Sequence, residues 1–428
     1  MPFRFLHLAD LHVETVFGGR PEVRKRLLAA TREALQAAVE LALEQELHAV
    51  LIAGDAFDDE RLSQEGADFF MGQMQRLVDA NIHVFYATGN HDPGSKKEKA
   101  CQLGFVDAVP SVGPGGGLHL FRRAAPKAVT ILDDEGAPLA TVVGAGHSQA
   151  KVESNLASKF THPGGSVPVI GLLHTQVEAA SISEDHANYA PSLRADYEAA
   201  GLDYWALGHV HKRQQVFEDL PVWYSGNLQG RNAKETGPKG GLLVSLRAEE
   251  EPEVQFVPLA PVEWHHLVLD QLQDVSDRSS LLAAFERAAL TLEQRTPLAS
   301  QDLCVRFIPT GACPLSALLR DPHSRLDLEE ELQGNTDLLE VQIRPKDLFS
   351  SRDLSDLDRS PSVQREALGL IRAAQTDDAL LMSLAPDILP GHLASEDTPE
   401  NKLAYLRQRL AGLEEELLTR CFLPEAWL

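Results

Sequence analysis

The chain has 428 residues, 43% of them hydrophobic, with 63 Asp and Glu against 39 Lys and Arg, for a net charge of −24. That composition excludes a disordered or fibrous chain, the length allows two or three domains, and the acid excess argues against a generic polyanion binder. Four scattered cysteines (Cys101, Cys304, Cys313, Cys421) form no C-x-x-C pair, and no apolar run reaches the ~20 residues that cross a bilayer. A cytoplasmic protein with no membrane association is expected.

Residues 3–9 alternate loosely and stop at Asp10, which predicts a strand ending in a polar loop. From 22 to about 46, Leu27, Thr31, Ala34, Leu35, Ala38 and Ala42 recur at helical spacing. The apolar run 49–53 has the character of a buried parallel strand and ends in Gly54-Asp55. A helix through Phe69, Met74 and Leu77, a strand at 82–86 and the loop Gly89-Asn90-His91-Asp92 repeat the unit. Such an α/β alternation places ligand sites beyond the carboxyl ends of its strands. Candidate strands at 127–132, 139–144, 168–173, 203–207, 222–224 and 241–246 predict a second sheet. The acidic stretch 249–253 and the prolines at 258 and 261 predict a boundary near 262. Strands at 265–269, 303–308 and 339–344, with helices near 279–293 and 315–320, then predict a small α+β domain. A stretch rich in Asp, Ser and Arg follows Pro345 and leads into a helical tail. The expected domains are 1–262, 263–345 and 346–428.

Five motifs fall at predicted strand ends: Asp10-x-His12, Gly54-Asp55, Gly89-Asn90-His91-Asp92, His174 and Gly208-His209-x-His211. Residues two apart on an extended segment project from the same side, so the D-x-H and H-x-H pairs can each serve one metal. Mixed imidazole and carboxylate donors suit Mn, Fe or Zn, whereas all-oxygen sites suit Mg or Ca. Asp55, with no adjacent His, is the natural bridging ligand. Of the other histidines, His7 and His83 lie in strand runs and are expected to be packed or hydrogen-bonded. His186 is a candidate near the site.

The five motifs resemble those of the calcineurin-like metallophosphoesterase superfamily. A second set resembles the SbcD/YhaO-type DNA repair exonucleases: the run 203–214 around His209 and His211, the run 224–231 beginning Tyr224-Ser225-Gly226-Asn227, and the run 234–240 beginning Lys234-Glu235-Thr236-Gly237. The resemblance implies a four-layer α/β/β/α sandwich around two metal ions, with a smaller α+β capping domain and a helical C-terminal tail. It implies Asp10, His12, Asp55 and His211 at the first ion and Asp55, Asn90, His174 and His209 at the second. His91 stands apart as the group for the phosphate and the leaving oxygen. Neutral, it would orient the phosphate; protonated, it would act as general acid. Some relatives carry a His three residues after the G-D aspartate, where this chain has Asp58, a carboxylate that cannot donate to a phosphate unless protonated.

The implied activity is a two-metal nuclease, exonucleolytic and also endonucleolytic, with manganese first and Mg, Fe or Zn as alternatives. The other reading is a phosphodiesterase or phosphatase for a small nucleotide or a phosphoprotein. Lys96, Lys97, Lys212, Arg213 and Arg231 near the metal loops are candidates for binding DNA. The resemblance also implies a homodimer, with Phe69, Phe70, Met71, Met74 and Leu77 together with Leu103, Phe105 and Val106 as the candidate surface. An SbcC-like coiled-coil ATPase is the implied partner. For that partner, Thr398-Pro399-Glu400 starts a helix whose Leu403, Leu406, Leu410, Leu413 and Leu417 form an apolar seam, with Gly412 weakening it.

Overall fold

A computed structural model describes residues 2–58, 63–95, 117–178, 180, 189–248, 250–295, 302–349, 363–384, 398–414 and 417. The chain divides into two compact units, Met1–His265 with Leu298–Leu303, and His266–Pro297 with Cys304–Leu428.

The first unit opens with β1 (Phe3–Leu8), α1 (Pro21–Glu44), β2 (Ala49–Ala53), α2 (Gln64–Asp79), β3 (His83–Ala87) and β4 (Leu118–Phe121). It continues with β5 (Lys127–Leu132), β6 (Pro138–Gly144), β7 (Val169–His174), α3 (Arg194–Ala200), β8 (Tyr204–Gly208), β9 (Gln214–Phe217), β10 (Leu220–Tyr224), β11 (Gly240–Leu246) and β12 (Glu253–Pro258). These strands make two six-stranded sheets, ordered β12-β11-β1-β2-β3-β4 and β5-β6-β7-β8-β10-β9. β1 to β4 run parallel, as do β6, β7, β8 and β10, with antiparallel strands at the edges.

Alternation along each strand builds the layers. Phe3, Phe5, Leu51 and Phe85 of the first sheet share one buried cluster with Ile131, Val142, Ile170, Leu172 and Tyr204 of the second. The intervening Leu6, Leu8, Val50, Ile52, Val84 and Tyr86 face the other way, onto α1 and α2. On the far side, Val143, Leu173, Trp205 and Leu207 pack against Tyr197 and Ala200 of α3. The result is the expected α/β/β/α sandwich. α1 follows its sequence pattern closely, burying Leu27, Thr31, Ala34, Leu35, Ala38 and Ala42.

β12, which was not among the strands expected from sequence, begins at the last residue of the acidic stretch 249–253. Glu253 starts a strand whose Val254 and Phe256 pack on the inter-sheet core, paired antiparallel with β11. Of the candidate dimer surface, Phe70, Met74 and Leu77 are buried in the chain's own core, and Phe69 and Met71 pack against it. Leu103, Phe105 and Val106 lie outside the described residues.

A three-stranded sheet, β13 (Val262–Leu269), β14 (Asp302–Pro309) and β16 (Glu340–Ile343) in that order, lies mostly in the second unit. With it come α4 (Arg278–Arg295), the short pair β15 (Gly311–Ala312) and β17 (Leu348–Phe349), α5 (Ser316–Arg320) and α6 (Pro322–Asn335). Three further helices, α7 (Val363–Thr376), α8 (Asp378–Leu384) and α9 (Pro399–Leu410), form a small cluster around Ala374, Leu381, Leu406 and Leu410. Thr398 caps α9 as expected, its side chain accepting from the Asn401 N–H. The helix stops at Leu410, however, and Gly412 turns in the left-handed region at φ 80°. The predicted seam is therefore not one continuous helix, and Leu406 and Leu410 are covered by this chain's own α7 and α8.

Candidate metal centre

The carboxyl ends of β1, β2, β3, β7 and β8 lead directly into Asp10, Asp55, Asn90, His174 and His209, so residues distant in sequence meet where the two sheets face each other. The loops after β1 and β2 are joined by backbone bonds: Asp10 N–H to Gly54 O (3.1 Å), His12 N–H to Asp55 O (3.0 Å) and Val13 N–H to Ala56 O (2.9 Å). Asp10, His12, Asp55 and His209 all sit at positive φ, between 45° and 105°. L-residues pay conformational strain there, and such strain collects at functional sites. Gly54 and Gly89 permit the close approach, because a Cβ on Gly54 would overlap the His174 ring and one on Gly89 would overlap the Asp55 carboxylate.

Two donor groups result, Asp10 with His12 and His211, and Asp10 with Asp55 and His174, every member buried. Asp10 is common to both: its Oδ1 lies 3.8 Å from His211 Nε2 and 4.0 Å from His174 Nδ1. In the first group, His12 Nε2 and His211 Nε2 approach to 3.3 Å. In the second, His174 Nδ1 donates to the Ala53 carbonyl (2.8 Å), which leaves Nε2 facing Asn90 Oδ1 at 3.0 Å and Asp55 Oδ2 at 3.3 Å. With its one hydrogen on Nδ1, His174 offers a bare Nε2 among oxygen acceptors, an arrangement that a cation satisfies. The His209 ring packs edge-on to His174 at 5.2 Å, and its backbone N–H donates to both Asp10 oxygens at 3.1 Å.

Electrostatics points the same way. Burial opposes a charged His174, but the charge and hydrogen bond of Asp55 and the charge of Asp10 raise it to about 9. Burial pushes Asp10 up to about 7 against the attraction of His174, with Asp55 adding repulsion. For Asp55, burial is outweighed by His174 and His91, and the carboxyl falls well below its ordinary value. A cluster that draws a proton onto a buried imidazole is one that favours positive charge. The donors present thus fit two metal ions.

Beside them, His91 Nδ1 is 3.1 Å from Asp58 Oδ1, its ring one third exposed, and its backbone N–H donates to Asp55 Oδ1 at 2.9 Å. Asp58 also accepts from Thr15 Oγ1 at 3.0 Å and lies 3.4 Å from His12 Nδ1 and 3.8 Å from Arg231 Nη1. Burial raises its carboxyl, yet the hydrogen bonds from His12 and His91 outweigh that and hold it far below the usual range. Sequence reasoning gave this carboxylate no role; its place is as acceptor for His91.

Two further residues, Asp92 inside the third motif and His147, have supporting roles that the sequence did not indicate. Asp92 accepts the N–H groups of Gly89 (2.6 Å), Ala56 (2.6 Å) and Asp55 (3.3 Å) and the Tyr86 hydroxyl. His147, without any partner motif in sequence, is buried with Nε2 2.8 Å from the His174 carbonyl oxygen. His7 is packed as expected, its ring nitrogens 3.1 Å from the Tyr204 hydroxyl and the Leu207 carbonyl. Of the basic candidates, Arg231 lies at the site, Lys212 is exposed, and the exposed Arg213 stacks 3.5 Å over the Phe256 ring. Lys96, Lys97 and His186 fall outside the described residues.

Residues 3–213 match the family model described as calcineurin-like phosphoesterase. The chain is 30% identical over 328 residues to the uncharacterized metallophosphoesterase YhaO of Bacillus subtilis, covering 76% of this chain and 75% of that one. It is 29% identical to the SbcD component of the nuclease SbcCD of Rhodobacter capsulatus, over 67% of this chain and 76% of the relative. It is 24% identical to the DNA double-strand break repair protein Mre11 of Aeropyrum pernix, over 66% of each chain. Sandwich, strand-end motifs and paired donor groups agree with these similarities: the chain belongs to the calcineurin-like phosphoesterase family.

Proposed function

We propose that this protein is a manganese-dependent nuclease that hydrolyses DNA phosphodiesters, exo- and endonucleolytically, in double-strand-break repair in the cytoplasm, with a coiled-coil ATPase as partner. The observation that carries the reading is the pair of donor groups sharing Asp10 with the Asp58–His91 couple beside them, in a chain similar to a nuclease component and a double-strand break repair protein. By the resemblance, Asp10, His12, Asp55 and His211 would hold one ion and Asp55, Asn90, His174 and His209 the other, with Asp55 as the shared ligand, whereas the donor geometry brings Asp10 into both groups. Mixed nitrogen and oxygen donors suit Mn, Fe or Zn better than Mg, and manganese stands first among them by the resemblance to the SbcD/YhaO-type nucleases. Bound there, the ions supply Lewis acidity toward a phosphoryl oxygen and a nucleophile at neutral pH.

The chain's own residues do the rest. Asp58 takes the Nδ1–H of His91, and a protonated His91 would then offer its Nε2–H to the leaving oxygen. Arg231, 3.8 Å from Asp58, supplies a guanidinium for a phosphate, with Lys212 and Arg213 in the loop that follows His211.

The purified full chain with Mn²⁺ should be assayed on labelled linear duplex, closed circular plasmid and a small chromogenic diester. Shortening of the duplex supports the nuclease. Turnover confined to the small diester, or to a phosphoprotein, overturns it in favour of a small-ester hydrolase.

A further inference from the structure

The runs 224–231 and 234–240, conspicuous in sequence for their resemblance alone, place Glu235 directly behind His211. The Glu235 side chain is only one tenth exposed, and its Oε1 lies 2.8 Å from His211 Nδ1. Oε2 is held from two sides, by Asn227 Nδ2 at 2.9 Å and by the Arg231 backbone N–H at 2.7 Å. The Arg231 guanidinium is 3.4 Å from Oε1. Lys239 Nζ secures the same imidazole from its main chain, donating to the His211 carbonyl at 3.1 Å.

A carboxylate only accepts, so the hydrogen in the 2.8 Å contact belongs to His211 Nδ1. Arg231 Nη2, 3.2 Å from that nitrogen, is a donor that would favour a bare Nδ1, but its contact is the longer one and it also reaches Glu235 Oε1; the 2.8 Å contact to the carboxylate decides the tautomer. With the hydrogen on Nδ1, Nε2 is a bare lone pair, and it is Nε2 that faces Asp10 Oδ1 and His12 Nε2.

We propose that Glu235, itself anchored by Asn227 and Arg231, is a positioning residue that locks His211 in the Nδ1–H tautomer and aims its Nε2 at the first metal position. This rests on the two-ion reading above. A carboxylate behind a metal-ligating imidazole orients the ring and raises its basicity, and losing such a partner commonly weakens metal affinity about 10–100-fold. The role is one-sided: Glu235 touches the group of Asp10, His12 and His211, and none of its contacts reaches Asn90 or His174.

The test uses metal-stripped full-length protein, wild type, Glu235→Ala and the near-isosteric Glu235→Gln, titrated with Mn²⁺. Thermal unfolding and the imidazole ¹⁵N spectrum of the metal-free state are recorded in parallel. Wild type should bind two ions. Glu235→Ala should weaken one site about 10–100-fold and leave the other unchanged, with His211 shifting to a mixture of tautomers. Glu235→Gln, which keeps a neutral acceptor, should fall between. Two unaltered sites in Glu235→Ala would overturn the positioning role alone, as would equal loss at both sites in Glu235→Gln together with a lowered unfolding temperature. Fewer than two ions on wild type would overturn the two-ion reading and this inference with it.

Discussion

Asp58 and His91 lie in different loops, yet a 3.1 Å contact pairs them, and in the proposed mechanism His91 gives the leaving oxygen its proton. Replacing His91 with Ala removes that proton but none of the donors in either metal group, so metal content should stay near wild type. Turnover should fall ~10²–10⁴-fold, the usual value of acid–base assistance. Loss of metal in this variant would make His91 a ligand. Asp55→Asn has the opposite signature: it removes charge beside His174 and should abolish hydrolysis of DNA and small diesters alike, with reduced metal content by elemental analysis. Near-wild-type activity with Mn²⁺ would remove Asp55 from the centre of the mechanism.

At the scale of elements, Asp92 joins the end of β3 to the loop after β2 through three backbone N–H groups. Asp92→Ala would leave those amides unpaired in the interior, each at a cost of ~1–3 kcal/mol. A marked fall in unfolding temperature by calorimetry is expected, with lost activity because Asp55 moves with its loop. In α9, Leu406 is 3% exposed in a four-residue core. Leu406→Ala should cost about 2–5 kcal/mol, opening the helical cluster to protease while small-diester hydrolysis is unchanged. These elements differ in how far they can be read from sequence. The strands that deliver ligands were legible because each is an apolar run halted by a polar motif, as at Ala53 before Gly54-Asp55. β12 was not, because this edge strand exposes every second residue at its start and follows directly on an acidic stretch, so no apolar run marks it. The support behind the ligands was equally hidden: Asp58, His147 and Glu235 act on groups brought near only by folding, and local spacing carries no trace of that.

Across the whole molecule, acidity should be felt through buried imidazoles. His7 sits between the sheets, and burial pushes it down to about 3, against the hydrogen bond to the Leu207 carbonyl. Unfolded, it would titrate near 6.5, so between about 6.5 and 3 the unfolded chain binds a proton that the folded chain refuses. Stability is therefore lost as pH falls through that window, by up to about 1.4 kcal/mol per pH unit for one such group. His7→Gln should flatten this acid limb in pH-dependent denaturant titrations, whatever its effect at neutral pH. A limb of unchanged steepness would mean that His7 is protonated in the fold.

The approach of His12 to His211 spans 199 positions of sequence and links one sheet to the other. A nascent chain lacks one ligand of the proposed first site, His211, until residue 211 has emerged and the second sheet has docked on the first. Occupation of the first position would then be a late event that follows a finished sandwich, and a chain truncated before residue 211 would lack it. The same linkage runs in reverse, since an ion gripped only by the folded state stabilises it in proportion to its affinity. Chelation should lower the unfolding temperature of the wild-type chain, and excess Mn²⁺ should restore it; indifference to chelator would show that the two sheets close without an ion's help.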